Sequence, residues 1–269
     1  MLRADSINFQ YHASTPIVRS LSIALRHGEL VCLIGPNGCG KSTTLRLLAG
    51  LLTPTSGSIS LHDQNVLTMR TRDRAQQIAF VPQRTDLAFS YTTREYVGMG
   101  LISLKLTASE REERISSALN AVSLHDADAK PVHELSVGNR QRATLARALA
   151  QLGWTAPSTS HAGSMLLADE PTSAMDPYAA EHAMRLLQTL TRSHERGVLV
   201  VSHDVSLAVR WADRVIVQDS TGTIALDDTP ERVVASGILT EVFGISLNGL
   251  VQDGKLLAVA PGSPASASR

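Results

Sequence analysis

Few folds accommodate a chain that breaks an apolar strand with a glycine-rich octet and then resumes at helical spacing. Residues 29–50, ELVCLIGPNGCGKSTTLRLLAG, do this. Gly35, Pro36, Asn37, Gly38, Cys39, Gly40, Lys41 and Ser42 match the pattern G-x-x-x-x-G-K-[ST], with an apolar run at Leu30–Ile34 before it and a helical pattern over Lys41–Leu52 after it. Glycine permits backbone angles and close approaches that a Cβ would block. Successive N–H groups then face inward as an anion nest, backed by the positive end of the helix. Lys41 supplies a counter-charge for the β- and γ-phosphates, Ser42 offers its hydroxyl to Mg²⁺, and Thr43 continues the loop into the helix. This segment predicts a nucleoside triphosphate site.

The rest of the chain supplies the sheet such a loop needs. Short, uniformly apolar runs at Leu30–Ile34, Ile78–Val81, Met165–Ala168, Val198–Val201 and Val215–Val217 read as buried parallel strands. Helical patterns lie between them at Lys41–Leu52, Glu110–Val122, Arg140–Leu152 and Ala179–Ser193, and the alternation predicts an α/β sheet flanked by helices. The first 30 residues and Gly57–Leu61 read as edge strands of a smaller β layer. Residues from about 84 to 160 read as a helical subdomain, Gly153–Gly163 as a polar surface loop, and the ending APGSPASASR as a disordered tail.

Composition enters by exclusion. Lys plus Arg and Asp plus Glu number 25 each, which argues against a broad basic face and predicts no nucleic-acid partner. No apolar run approaches the roughly 20 residues of a membrane span, and MLRADSINFQ does not read as a signal peptide. Two cysteines do not make a disulfide scaffold, and Cys39 reads as a small loop residue. The histidines other than His203 show no metal-ligand spacing and read as surface residues, while Trp154 and Trp211 read as packing residues.

A second acidic element points from binding to hydrolysis. The apolar strand Met165–Ala168 delivers Asp169 and Glu170 at its carboxyl end, where open α/β sheets hold their ligands. Asp169 suits Mg²⁺ and Glu170 suits polarisation of the attacking water. Further evidence lies in His133–Gln151, HELSVGNRQRATLARALAQ, where Ser136 is placed to cap a helix N-terminus and Gly138 to let main-chain amides approach phosphate.

With these three elements in order, the chain resembles the ATP-binding subunit of an ABC transporter over residues 1–245. The resemblance implies an α/β P-loop NTPase core (RecA-like) with an N-terminal antiparallel β subdomain and a helical subdomain, followed by a C-terminal extension over residues 246–269. Leu135–Arg142 is similar to the family signature, implying that Ser136, Gly138 and Asn139 contact the nucleotide of a second copy, so that a homodimer closes over two ATP molecules. By the same resemblance, Tyr11 stacks on adenine, and Gln83 contacts Mg²⁺ and water and reports to the membrane partner. Ser173–Asp176 lies at the dimer interface, and His203 contacts the γ-phosphate and positions Glu170. The implied cofactors are ATP and Mg²⁺. The implied partners are two transmembrane permease subunits and, indirectly, a periplasmic or surface substrate-binding protein. The implied location is the cytoplasmic face of the inner membrane.

Two signature positions depart from the family pattern. Val137 stands for a glycine and Asn139 for a glutamine. A valine at positive φ would cost about 1–2 kcal/mol, whereas a valine opening the helix would cost little. The expectation is a slower site rather than a dead one. A nucleotide-gated module with little turnover therefore stays open, and so does a soluble ABC ATPase of repair or translation, although the chain has neither a second cassette nor a long coiled-coil insertion. For a transporter, Leu87-Ala88-Phe89 with Tyr91-Thr92, the extension after Leu149-Ala150-Gln151, and the segment TEVFGISLNGLVQDGKLLAVAP resemble haem import subunits. The arginine expected after Gly98–Gly100 is missing. Importers of iron–siderophores or cobalamin are the alternatives.

Overall fold

A computed structural model describes residues 1–11, 16–84, 89–154, 163–252 and 255–262. Leu87 and Ala88, the interior of the 153–163 loop and the last seven residues of the tail lie outside them.

The chain opens with β1 (Leu2–Gln10), β2 (Pro16–Leu25), β3 (Leu30–Ile34) and α1 (Lys41–Leu48), then β4 (Ser56–Leu61), β5 (Gln64–Asn65), α2 (Thr71–Gln77) and β6 (Ile78–Val81). A helical stretch follows, with α3 (Thr93–Gly98), α4 (Ala108–Ala121) and α5 (Val137–Leu152). Alternation resumes with β7 (Met165–Asp169), α6 (Pro177–His194), β8 (Gly197–Val201), α7 (Val205–Trp211), β9 (Arg214–Gln218) and β10 (Ile224–Asp228). The chain closes with α8 (Pro230–Ala235), α9 (Ile238–Phe243), β11 (Leu247–Gln252) and β12 (Lys255–Pro261).

Two sheets carry the architecture. The larger has the order β10-β9-β3-β8-β7-β6, with β9 to β6 parallel and β10 antiparallel at one edge. The smaller is antiparallel in the order β2-β1-β4-β5. The period-two alternation of a strand explains why the parallel strands read as unbroken apolar runs, since each face meets a different core. In β3, Leu30, Cys32 and Ile34 join the core packed by α3 to α6, while Val31 and Leu33 join the core shared with α1 and the antiparallel sheet. Val198 and Val200 of β8 divide from Leu199 and Val201 in the same way.

The strand expectations match within a residue or two. The helix after the loop stops at Leu48 instead of Leu52, because Gly50 takes a positive φ of 67°. Within the antiparallel sheet, β4 is an inner strand, with the two-residue β5 outside it. Both ends of the 153–163 loop, Gly153 and Gly163, are buried. The ending is more ordered than its composition implied, since Ala260 and Pro261 belong to β12, which pairs with β11 as a hairpin. Low-complexity composition hides a strand here because partners elsewhere, not its own side chains, hold it.

Candidate active site

The glycine-rich loop leaves the carboxyl end of β3 and enters α1. A Cβ on Gly35 would stand 2.2 Å from the Gln218 carbonyl oxygen, so the loop's start is pressed against the end of β9 where only glycine fits. Lys41 is buried, and its Nζ donates to the Gly35 and Pro36 carbonyls at 2.8 Å each. Burial pulls the Lys41 ammonium below its ordinary pKa, while Glu170 and Asp169 nearby act in the other direction. A buried cation held on carbonyls and facing the loop's cradle is chemically suited to an anionic ligand. Cys39 and Cys32 are buried free thiols, both pushed up by burial, Cys32 to about 12, which leaves them unreactive.

Across the loop stand the two acids that end β7. Asp169 is buried, and Ser42 Oγ donates to its Oδ1 at 2.9 Å. Its other oxygen, Oδ2, is buried with no hydrogen-bond partner. Burial raises the Asp169 carboxyl above its ordinary value, with the Ser42 hydrogen bond opposing. Glu170 is 8% exposed and sits at a φ of 51°. A left-handed glutamate costs about 1–3 kcal/mol and is kept where neighbours over-determine it, frequently at functional sites. Here the Glu170 N–H donates to the Val201 carbonyl at 3.1 Å and its carboxylate is hydrogen-bonded to His203. Glu170, His203, Ser173 and Met175 line a cleft of about 520 Å³.

The signature segment approaches from the helical stretch. Ser136 caps α5, accepting from the Asn139 N–H at 3.2 Å. Val137 is 57% exposed and opens α5. It is absent from the positive-φ residues, so the larger backbone cost does not arise and that reason for a slower site falls away. Asn139 turns its amide oxygen to the Arg142 guanidinium. Gly138 has a different task from the expected one within this chain: a Cβ there would lie 2.7 Å from the Ala174 carbonyl oxygen, so glycine lets α5 pack on the 173–176 segment. Gln141 fastens that contact. Its Nε2 donates to Ser173 Oγ at 2.8 Å and to the Glu170 carbonyl at 3.2 Å, and its Oε1 accepts from the Ala174 N–H at 2.9 Å.

Of the remaining candidates, Tyr11 is brought to the loop's helix, its hydroxyl 3.3 Å from Thr43 Oγ1 and its ring edge-on to Phe9. Gln83 is not brought into hydrogen-bond contact with Ser42 or Asp169 by any bond among the described residues. It is exposed and lines a cleft with Val137, Arg140 and Gln141. Sequence reasoning missed Gln218. This fully buried side chain donates from Nε2 to the Cys39 carbonyl at 3.1 Å, bracing the glycine loop from behind, and an amide closing an otherwise apolar β9 was the available signal. Trp154 and Trp211 pack against the core as expected. Among the described residues no group of three or more His, Cys, Asp or Glu converges on a metal site. The histidines are less scattered than they read, since His27 and His62 meet at 3.1 Å between their Nε2 atoms, while His12 and His161 lie outside the described residues.

Comparison with known proteins follows the same geography. The ABC transporter family model matches residues 18–173. The chain is 35% identical over 249 residues to the hemin import ATP-binding protein HmuV of Pseudomonas entomophila, covering 92% of this chain and 94% of that one. It is 36% identical over 245 residues to the protein of that name from Enterobacter cloacae, covering 91% of each. Among solved structures, it resembles the dimeric bacterial ABC transporter cassette MJ0796 with 28% identity and a TM-score of 0.76, covering 86% of this chain and 99% of that one. The same cassette in a post-hydrolysis state bound to ADP and Pi matches with a TM-score of 0.74 at 27% identity, over the same shares of the two chains. The P-loop core with its antiparallel β subdomain is thus the fold expected from sequence.

Proposed function

This chain belongs to the ABC transporter family as an ATP-hydrolysing cassette, and from that membership we propose that it is the ATP-binding subunit of a haem importer. Support for haem comes from one observation above the rest: identity to hemin import ATP-binding proteins runs through 92% of this chain, well beyond the family's shared core. In this reading two copies close over two ATP molecules, on the cytoplasmic face of the membrane, and drive a separate pair of permease subunits. Among the described residues no helix is long and apolar enough to cross a membrane, which suits a subunit that borrows its pathway from partners.

The chemistry follows from the placed groups. Loop amides and Lys41 bind the β- and γ-phosphates, and Tyr11 stacks on the base. The Ser42 hydroxyl and Asp169 fit Mg²⁺, since hard oxygen donors sit together and Asp169 Oδ2 is buried and unpartnered. Once bound, the ion would neutralise charge on the phosphate oxygens. Glu170 accepts a proton from the water that attacks the γ-phosphorus, releasing ADP and phosphate. His203 holds the Glu170 carboxylate by their hydrogen bond. Gln83 lies beside the cleft as a sensor for the permease, and Ser136, Gly138 and Asn139 meet the nucleotide of the opposite copy.

Two measurements test the proposal in separate parts. Glu170→Gln should keep ATP binding, slow hydrolysis by roughly 10²-fold or more, and hold the dimer closed. Turnover at the parental rate would remove Glu170 from the role of base. A deletion strain should fail to grow on haemin as sole iron source and grow normally on a siderophore control. Normal growth on haemin, with no redundant importer, would overturn haem and leave the ATPase standing.

A further inference from the structure

The C-terminal hairpin touches the catalytic machinery through one side chain. Ser206, half-buried in the first turn of α7, donates from its Oγ to the Val259 carbonyl at 3.0 Å and accepts from the Val259 N–H at 3.1 Å. A hydroxyl thus does for the free edge of β12 what a neighbouring strand would do, satisfying both main-chain groups of one residue. Val259 and Leu247 pack against the same core as Val205, Leu207 and Trp211, so the contact has an apolar floor.

The element held this way is the one that carries His203. Strand β8 is fixed within the large sheet and ends at Val201. Ser202, His203 and Asp204 follow, and α7 begins at Val205. Asp204 caps the helix, accepting from the Leu207 N–H at 2.9 Å, and its own N–H donates to Ser202 Oγ at 3.0 Å. His203 is therefore a single exposed residue strung between a rigid strand and a short helix, with its ring on Glu170. Seven residues are far fewer than the roughly 12–15 at which an isolated helix becomes even marginal in water, so docking decides where α7 sits. Only Ala208 and Val209 of α7 are fully buried. The hairpin supplies the rest of that docking.

We propose that Ser206 is a positioning residue for hydrolysis: by fastening α7 to the main chain of Val259, it sets the reach of His203 to Glu170, and the C-terminal hairpin thereby tunes turnover. This rests on the role given to His203 above. The geometry predicts an effect on the chemical step and little on nucleotide affinity, because Ser206 makes no contact with the glycine loop.

The test uses the full-length chain. Parent, Ser206→Ala, Ser206→Thr, His203→Ala and the Ser206→Ala/His203→Ala double variant are compared for ATP hydrolysis under single-turnover conditions, where slow rates remain measurable. Steady-state kcat, KM and thermal unfolding are measured alongside. With two hydrogen bonds lost, Ser206→Ala should lower the hydrolysis rate about threefold to tenfold, with KM for ATP unchanged within about twofold and the chain folded at the assay temperature. Ser206→Thr, which keeps the hydroxyl, should restore the rate. In the His203→Ala background, Ser206→Ala should change nothing further. A parental rate for Ser206→Ala, or a full additional loss on top of His203→Ala, would overturn the proposal while leaving His203 in its role. A parental rate for His203→Ala itself would overturn the reading of His203, and the role of Ser206 with it.

Discussion

Replacing Gly138 with alanine isolates the contact that joins the signature helix to the strand-end acids. The new Cβ would stand 2.7 Å from the Ala174 carbonyl oxygen, where ordinary contact begins at 3.4 Å, so the two segments must part by about 0.7 Å. The obstacle is main chain rather than the tip of a flexible side chain. Overpacking of this kind costs about 1–3 kcal/mol. Separation also stretches the bonds from Gln141 to Ser173 and Ala174, each worth about 1 kcal/mol. Against this, alanine inside a helix gains about 0.5–1 kcal/mol over glycine. The expected net loss is about 1–2 kcal/mol, which for a chain of this size lowers the melting temperature by about 2–8 °C. Thermal unfolding followed by circular dichroism measures it. Gly98→Ala is the matched control, since its new methyl would meet the end of the Ile115 side chain at 3.3 Å, and its melting temperature should hold or rise. ATP affinity, set at the distant glycine loop, should not change in either variant, whereas turnover should fall in Gly138→Ala alone. A melting temperature for Gly138→Ala at or above the parent's would refute the reasoning.

Asp169→Asn should raise the melting temperature of the nucleotide-free protein by a few degrees while abolishing turnover, because it removes a buried charge and keeps an acceptor for Ser42. The folded-state pKa of Asp169 is raised, so its contribution to stability is present in acid and lost as pH rises through the folded value. The gain from asparagine should therefore be larger at about pH 8 than at about pH 5, and an equal gain at both would argue against a perturbed carboxyl. Gln218→Leu removes a buried donor to the Cys39 carbonyl and also a buried Oε1 that has no partner, so stability should change by no more than about 1 kcal/mol. Loss of that brace should raise the KM for ATP about threefold to tenfold as the phosphate cradle loosens, and a parental KM would show that the loop holds itself.

The glycine loop, the paired acids and the signature were legible because each is a local device whose spacing along the chain is its geometry. Gly35 to Ser42 must turn a strand into a helix within eight residues, and few residue types can do that. Uniformly apolar β3, β7 and β8 announced a sheet buried on both faces in the same way. What stayed hidden was every interaction whose partner lies far along the chain. Gln218 reaches Cys39 across 179 residues, and Gln141 reaches Ser173 and Ala174 across more than 30. Ser206 closes the edge of a strand that composition alone marks as tail. The left-handed backbone of Glu170 is likewise invisible in the letters, since nothing about glutamate asks for it. The sequence determined which groups could bind and cleave a nucleoside triphosphate, because those groups act through local backbone geometry. Tertiary structure alone decided what holds them in place, because a brace is defined by the distance between chain segments and not by the order of residues within either one.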